Sequence, residues 1–166
     1  NEALLDARVC ECCQTSAAMS AAGPLVVFRD RSQDEVRDIS IVRRVDGVWT
    51  APRPVFRDGW KIAGCPVNGP SVAASGRHVV VGWFTGADNT GRVKFARSTD
   101  AGASFGEPSL IDRGNPIGRV EVVVAEDGAA WVCWMTRTDD GAAVRARRVA
   151  ADNTLSEAVT IAETEA

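Results

Sequence analysis

The chain contains no tyrosine, one histidine and two methionines among its 166 residues. Without tyrosine it has no phenolic nucleophile, and His78 has no second imidazole with which to share a metal or relay a proton. Its place after Gly76-Arg77, at the head of a strand-like run, is that of a solvated turn residue. No run approaches the roughly 18 continuous apolar residues that a membrane-crossing helix needs, so such a helix is excluded. Helical periodicity is also missing, so the core is not built from helices. Nor is there a stripe of one charge: the net charge is -3, the pI is about 5.2, and the arginines are scattered among acids. A phosphate backbone would find no basic footprint here, and nucleic acid is not an expected partner. The sequence opens at Asn1 with neither an initiator methionine nor a signal-peptide pattern, as expected of a processed form or a piece of a longer protein.

What is present is glycine, proline and short apolar runs. An apolar content of 45% can bury one substantial core, and 15 glycines and seven prolines punctuate runs of about strand length. Three segments align with one another. In the first, Ser16 to Met19 is followed by Leu25 to Arg29, Ile39 to Arg44 and Trp49 through Val55. The second runs Ser71 to Ala74, Val79 to Phe84, Arg92 to Arg97 and Phe105 through Ile111. The third runs Val120 to Val124, Ala130 to Met135, Val144 to Val149 and Leu155 through Ile161. Four short strands per repeat, joined by glycine-rich turns, describe an all-β fold whose unit is a propeller blade, with blades at about 14–58, 69–112 and 118–163. A sandwich core would alternate with period 2, whereas Val79-Val80-Val81 and Val122-Val123-Val124 are apolar on both faces and are expected to be covered on both.

One turn has a sharper pattern. Ser98 to Phe105 reads S-T-D-A-G-A-S-F, in which Asp100 can bond amides of its own turn, Gly102 can take a positive φ, and Phe105 can drop into the neighbouring sheet. It resembles the Asp-box of the sialidase and BNR-repeat β-propellers, S/T-x-D-x-G-x-x-W/F, at every specified position: Ser98, Asp100, Gly102 and Phe105. Asp46-Gly47 and Asp152-Asn153 look like degenerate copies. In that family the box is a folding element away from the catalytic face, so the resemblance implies architecture first. It implies a sialidase-like propeller in which three blades are part of a six-bladed ring. The ring would be completed by further blades of the parent protein or by a homodimer, since three blades do not close and the end blades would show apolar faces to water.

On the propeller reading, two loop sets share one face. Asp6 to Gln14, Arg57 to Pro70 and Asp112 to Arg119 lead into the innermost strands; Arg29 to Asp38, Thr85 to Gly91 and Thr136 to Gly141 join second strands to third. Four cysteines fall in the first set: Cys10, Cys12 and Cys13 in C-x-C-C, and Cys65 at the matching position of the next repeat. The plainer reading is one or two disulfides in a secreted or periplasmic protein; the sharper is a thiolate site for zinc or copper formed by all four. Reactive thiols are a third. Cys133, between Trp131 and Trp134, reads as a buried small hydrophobe, and Trp49, Trp83, Trp131 and Trp134 as packing between blades.

The second constellation is charged: Arg29, Asp30, Arg31, Asp34, Glu35, Arg37 and Asp38. Sialidases hold a substrate carboxylate with three arginines, use an aspartate as acid/base and a tyrosine as nucleophile. The resemblance therefore makes Arg29, Arg37 and Arg119 candidates for a clamp and Asp30 or Asp38 for an acid. The missing tyrosine implies that glycoside hydrolysis is incomplete in this chain, and charged loop residues also commonly pair with one another. Trp60, Lys61 and Asn68 form either a platform for a carbohydrate or small-molecule ligand or, for Trp60, the hydrophobic anchor of its loop. The function expected is glycan binding or membership of a glycosidase-related protein; the alternative is a non-enzymatic scaffold with a cysteine-rich face for a metal or partner.

Overall fold

The computed structural model describes residues 2–165. The order is β1 (Ser16–Ser20), β2 (Gly23–Arg29), β3 (Ile39–Val45), β4 (Val48–Trp49), β5 (Arg53–Phe56), β6 (Ser71–Ser75), β7 (His78–Thr85), β8 (Arg92–Ser98), β9 (Ser109–Asp112), β10 (Pro116–Val124), β11 (Ala130–Thr138), β12 (Gly141–Val149) and β13 (Val159–Glu165). They form three antiparallel meanders, β1-β2-β3 with β4 and β5 sharing the fourth place, β6-β7-β8-β9 and β10-β11-β12-β13. Among the described residues no helix is long and apolar enough to cross a membrane.

The sheets stack face to face in chain order, with β6 lying between β1 and β10. This is the blade arrangement of a β-propeller. One core, including Leu25, Ile41, Val79, Val81 and Trp83, fills the space between the first and second sheets; another, including Val80, Phe95, Val122, Val132 and Trp134, fills that between the second and third. Val79, Val80 and Val81 are each fully buried because successive residues of β7 point into different cores.

Repeated polar fastenings position the blades. Ser16 Oγ accepts the amide of Val72 and Ser71 Oγ that of Val122, both at 3.1 Å, so the first serine of one innermost strand holds the next. Trp83 donates its indole N–H to Asp58 of the preceding blade at 2.6 Å, and Trp134 to Asp112 at 2.7 Å. Arginines complete the pattern: Arg43 and Arg53 donate to the carbonyls of Ala101 and Gly102, and Arg97 to those of Gly128 and Ala150. The approach is close. A Cβ on Gly82 would lie 2.6 Å from a methyl of Val122.

The Ser98–Phe105 turn closes on itself. Gly102 N–H donates to Ser98 Oγ at 2.9 Å, Ser104 N–H to Asp100 Oδ1 at 2.8 Å, and Ala101 and Gly102 have φ of 58° and 78°. Phe105 packs against the core between the first two sheets. Burial acts upward on the Asp100 carboxyl, but hydrogen bonds from Ser104, Ser98 and backbone amides outweigh it and hold the pKa at about 2.

Two expectations change. The fourth strands depart from the repeat alignment: the first breaks into β4 and β5, the second is shortened to Ser109–Asp112, and the third keeps 7 residues but is displaced to Val159–Glu165. The third blade also has an open outer side. Val123 is 60% and Trp131 44% exposed, and Cys133 beside them is only half-buried, since no described residues cover that face. Trp131 is therefore not packed between blades, and Cys133 is not a core residue.

Candidate functional site at the axial mouth

Loops 6–14, 29–38 and 57–70, drawn from both sets, meet at one end of the first two blades, where backbone hydrogen bonds tie them together. Cys10 N–H donates to Arg29 O at 2.9 Å, Arg37 N–H to Trp60 O at 2.8 Å, and Ile62 N–H to Glu35 O at 3.1 Å. Gln14 contributes through Oε1, which accepts Gly69 N–H at 2.9 Å.

Arg29 is the keystone of this end. It is 2% exposed, and its Nε, Nη1 and Nη2 donate to the carbonyls of Asn68, Arg37 and Phe84 at 2.7, 2.6 and 2.7 Å. All three guanidinium nitrogens are thus spent on backbone. Arg37 is likewise buried, donating to Glu35 at 2.8 Å and to Cys10 Sγ at 3.1 Å. Arg119 has an exposed side chain, and its amide, not its guanidinium, meets the group, at Asn68 Oδ1. The three-arginine clamp of Arg29, Arg37 and Arg119 is not formed, because burial commits the first two to internal partners.

A different arginine set surrounds the mouth. Arg8, Arg31 and Arg37 all reach Glu35, at 2.6, 3.2 and 2.8 Å, and Arg31 also reaches Glu11 at 3.3 Å. Hydrogen bonds from Arg31 and then Arg37 hold the Glu35 carboxyl at about 2; a backbone hydrogen bond and then the charge of Arg31 lower Glu11. Glu11, Arg31, Glu35 and Arg37 line a cleft of about 350 Å³ with Cys12 and Cys65. Arg8 and Glu11 carried no motif in the sequence and enter the site only through the folding of the 6–14 segment.

Asp30 and Asp38 line a second cleft of about 210 Å³ with Ser40 and Arg57. Burial raises both carboxyls, against hydrogen bonds from the Arg31 amide to Asp30 and from the Gly59 and Trp60 amides to Asp38. Trp60 is buried, edge-on to Phe84 at 5.6 Å between centroids and with Arg29 4.9 Å over its ring. Gly86 lies against its indole, where a Cβ would fall 2.8 Å away. Of the two readings of Trp60, the structure shows the anchor; no ring face is left for a sugar. Asn68 is buried and spends its amide on Ile117 O and the Arg119 N–H, joining the second and third blades. Lys61 is exposed beside them.

Four sulfurs complete the mouth. Cys12 and Cys65 form a disulfide that closes a sequence separation of 53 residues and stabilises by about 4 kcal/mol on the chain-entropy scale. The Cys13 and Cys65 segments adjoin as the repeats suggest, but the bond goes to Cys12. The turn in which Cys13 N–H donates to Cys10 O at 3.2 Å folds Cys13 back over Cys10. Cys10 Sγ lies 3.5 Å from Cys12 Sγ and 3.1 Å from Cys13 Sγ. A set of four thiolates requires the Cys12–Cys65 bond to be opened.

Three antiparallel meanders stacked face to face define the class: an all-β segment of β-propeller architecture. No family model matches the chain, and no curated protein does. Among solved structures it is similar to the Hadza microbial sialidase Hz136, at 17% identity and a TM-score of 0.47 over 85% of this chain and 33% of that one. It is also similar to the α-L-arabinofuranosidase PaAbf62A of Podospora anserina, in complex with cellotriose, at 13% identity and a TM-score of 0.49 over 86% and 46%. The NanB sialidase of Streptococcus pneumoniae matches at 12% identity and a TM-score of 0.48 over 80% and 20%. The chain spans between a fifth and a half of the length of these three proteins. Likeness at this level carries no argument about activity.

Proposed function

We propose that the chain is the ligand-binding portion of an extracytoplasmic, Asp-box-type propeller protein, and that it takes an anionic carbohydrate into the axial cleft without hydrolysing it alone. The observation that supports this is the convergence of Arg8, Arg31 and Arg37 on Glu35, with Glu11 the one further acid in the group. Arg31 and Arg37 balance Glu11 and Glu35 within the cleft lining, and Arg8, which reaches Glu35 from outside that lining, adds the one positive charge on offer to a ligand carboxylate. The cleft, about 350 Å³, is at the small end of the range for ligand sites. Asp30 and Asp38 stay acid candidates, but no tyrosine supplies a nucleophile. The Cys12–Cys65 bond suits an oxidising compartment. The bare outer side of the third blade favours further blades or a homodimer that completes the ring.

Titration with N-acetylneuraminic acid and, separately, with the uncharged N-acetylmannosamine tests the reading. The acidic sugar should bind, the neutral one should not, and Arg31→Ala should weaken binding about tenfold, or ~1.4 kcal/mol. Equal binding of both sugars, or of neither up to ~10 mM, would count against it. A fluorogenic sialoside should remain uncleaved. The clustering of Cys10, Cys12 and Cys13 supports the alternative, a non-enzymatic scaffold holding zinc or copper, for which stoichiometric metal on purified protein is the required result.

A further inference from the structure

The Cys10–Cys13 pair has the C-x-x-C spacing, and its sulfurs lie 3.1 Å apart directly beside an existing disulfide. Cys10 is buried while Cys12 and Cys65 line the cleft, so the four sulfurs form a chain from the interior to the mouth. Arg37 Nη1 stands 3.1 Å from Cys10 Sγ and sets a fixed positive charge beside it.

We propose that these four residues are a thiol–disulfide exchange centre, in which the Cys10/Cys13 dithiol trades places with the Cys12–Cys65 disulfide. In the first step the Cys10 thiolate attacks Cys12 Sγ, 3.5 Å away; the Cys10–Cys12 bond forms, the Cys12–Cys65 bond breaks, and Cys65 leaves as a thiolate into the cleft. In the second, Cys13, having lost its proton, attacks Cys10 Sγ; the Cys10–Cys13 bond forms and Cys12 leaves as a thiolate. Cys12 and Cys65 take up the two protons that Cys10 and Cys13 gave up. One disulfide is broken and one made, with no net oxidation, so no outside oxidant is needed. The exchange unties Cys65 and its loop from the first blade and presents two thiols at the cleft. It stands independently of what the cleft binds.

Disulfide mapping decides the matter. Purified protein is held at about pH 8.5, near the ordinary thiol pKa, quenched in acid, alkylated with N-ethylmaleimide and digested with trypsin. Residues 9–29 then carry Cys10, Cys12 and Cys13 on one peptide and residues 62–77 carry Cys65 on another. Expected are two isomers, one cross-linked between the peptides and one closed within 9–29 with Cys65 alkylated. Cys10→Ser should leave only the cross-linked form, and Cys13→Ser should stop at the Cys10–Cys12 bond with Cys65 alkylated. The wild-type digest does not depend on either variant folding. If it yields only the cross-linked form, exchange does not occur. Stoichiometric zinc or copper, with all four cysteines alkylated once the metal is chelated, would equally overturn the proposal in favour of a thiolate metal centre.

Discussion

The second and third blades carry near-identical valine triplets with different fates. Val79, Val80 and Val81 are all fully buried; in the third blade Val122 is 5% and Val123 60% exposed. Intrinsic strand preference is the same in both. The difference lies in the neighbours, since the second blade has a sheet on each side and the third on one. Apolarity on both faces of a strand states a requirement for cover, and only the assembly shows whether that requirement is met.

The sharpest way to test that contrast is a pair of tryptophans. Trp83→Ala should cost about 4 kcal/mol in denaturant unfolding, because it removes a fully buried indole and leaves Asp58 with Lys94 as its remaining side-chain donor. Trp131→Ala should fall within about 0.5 kcal/mol if its face is open. A loss at Trp131 comparable to that at Trp83 would show a further blade or a second copy packed there. Next in size, Arg29→Met should cost about 3 kcal/mol by orphaning the buried carbonyls of Asn68, Arg37 and Phe84. An unchanged unfolding midpoint would mean that the first two blades are not held through that side chain. In light scattering the protein should have the mass of a dimer, and Val123→Glu should shift it to monomer at little cost in monomer stability. A monomeric wild type would show that no second copy covers that face.

A smaller loss than at Trp83 or Arg29 concerns the turn that rests on Arg43 and Arg53. Asp100→Asn should cost about 1 kcal/mol at neutral pH. A folded-state pKa of about 2 lies below the unfolded value, so this contribution is complete above about pH 4 and fades as the pH falls towards 2. Urea midpoints of the two proteins should therefore converge in acid, and a constant gap would show that charge is not the source.

Much of the fold was readable because its signals are local. Period, glycine turns and the Ser98–Phe105 pattern depend on residues that are close in sequence, and the matching serines of β1 and β6 reflect a repeated fastening. The mouth was readable only in outline. The repeats placed Cys13 and Cys65 in adjoining loops, but the choice of Cys12 depended on how the 10–13 turn folds. Arg29 had the right residue type for a clamp and proved to be a buried strut, because its partners are carbonyls 8, 39 and 55 residues away. Arg8 and Glu11 had no pattern at all.

The order of residues alone settled the all-β character, the threefold repeat and the self-bonded turn, because each follows from interactions over a few neighbouring positions. Only the tertiary structure decided which sulfurs bond, which arginines face the cleft and which valines meet water. Those outcomes depend on distances between loops far apart along the chain and on whether a sheet has a neighbour.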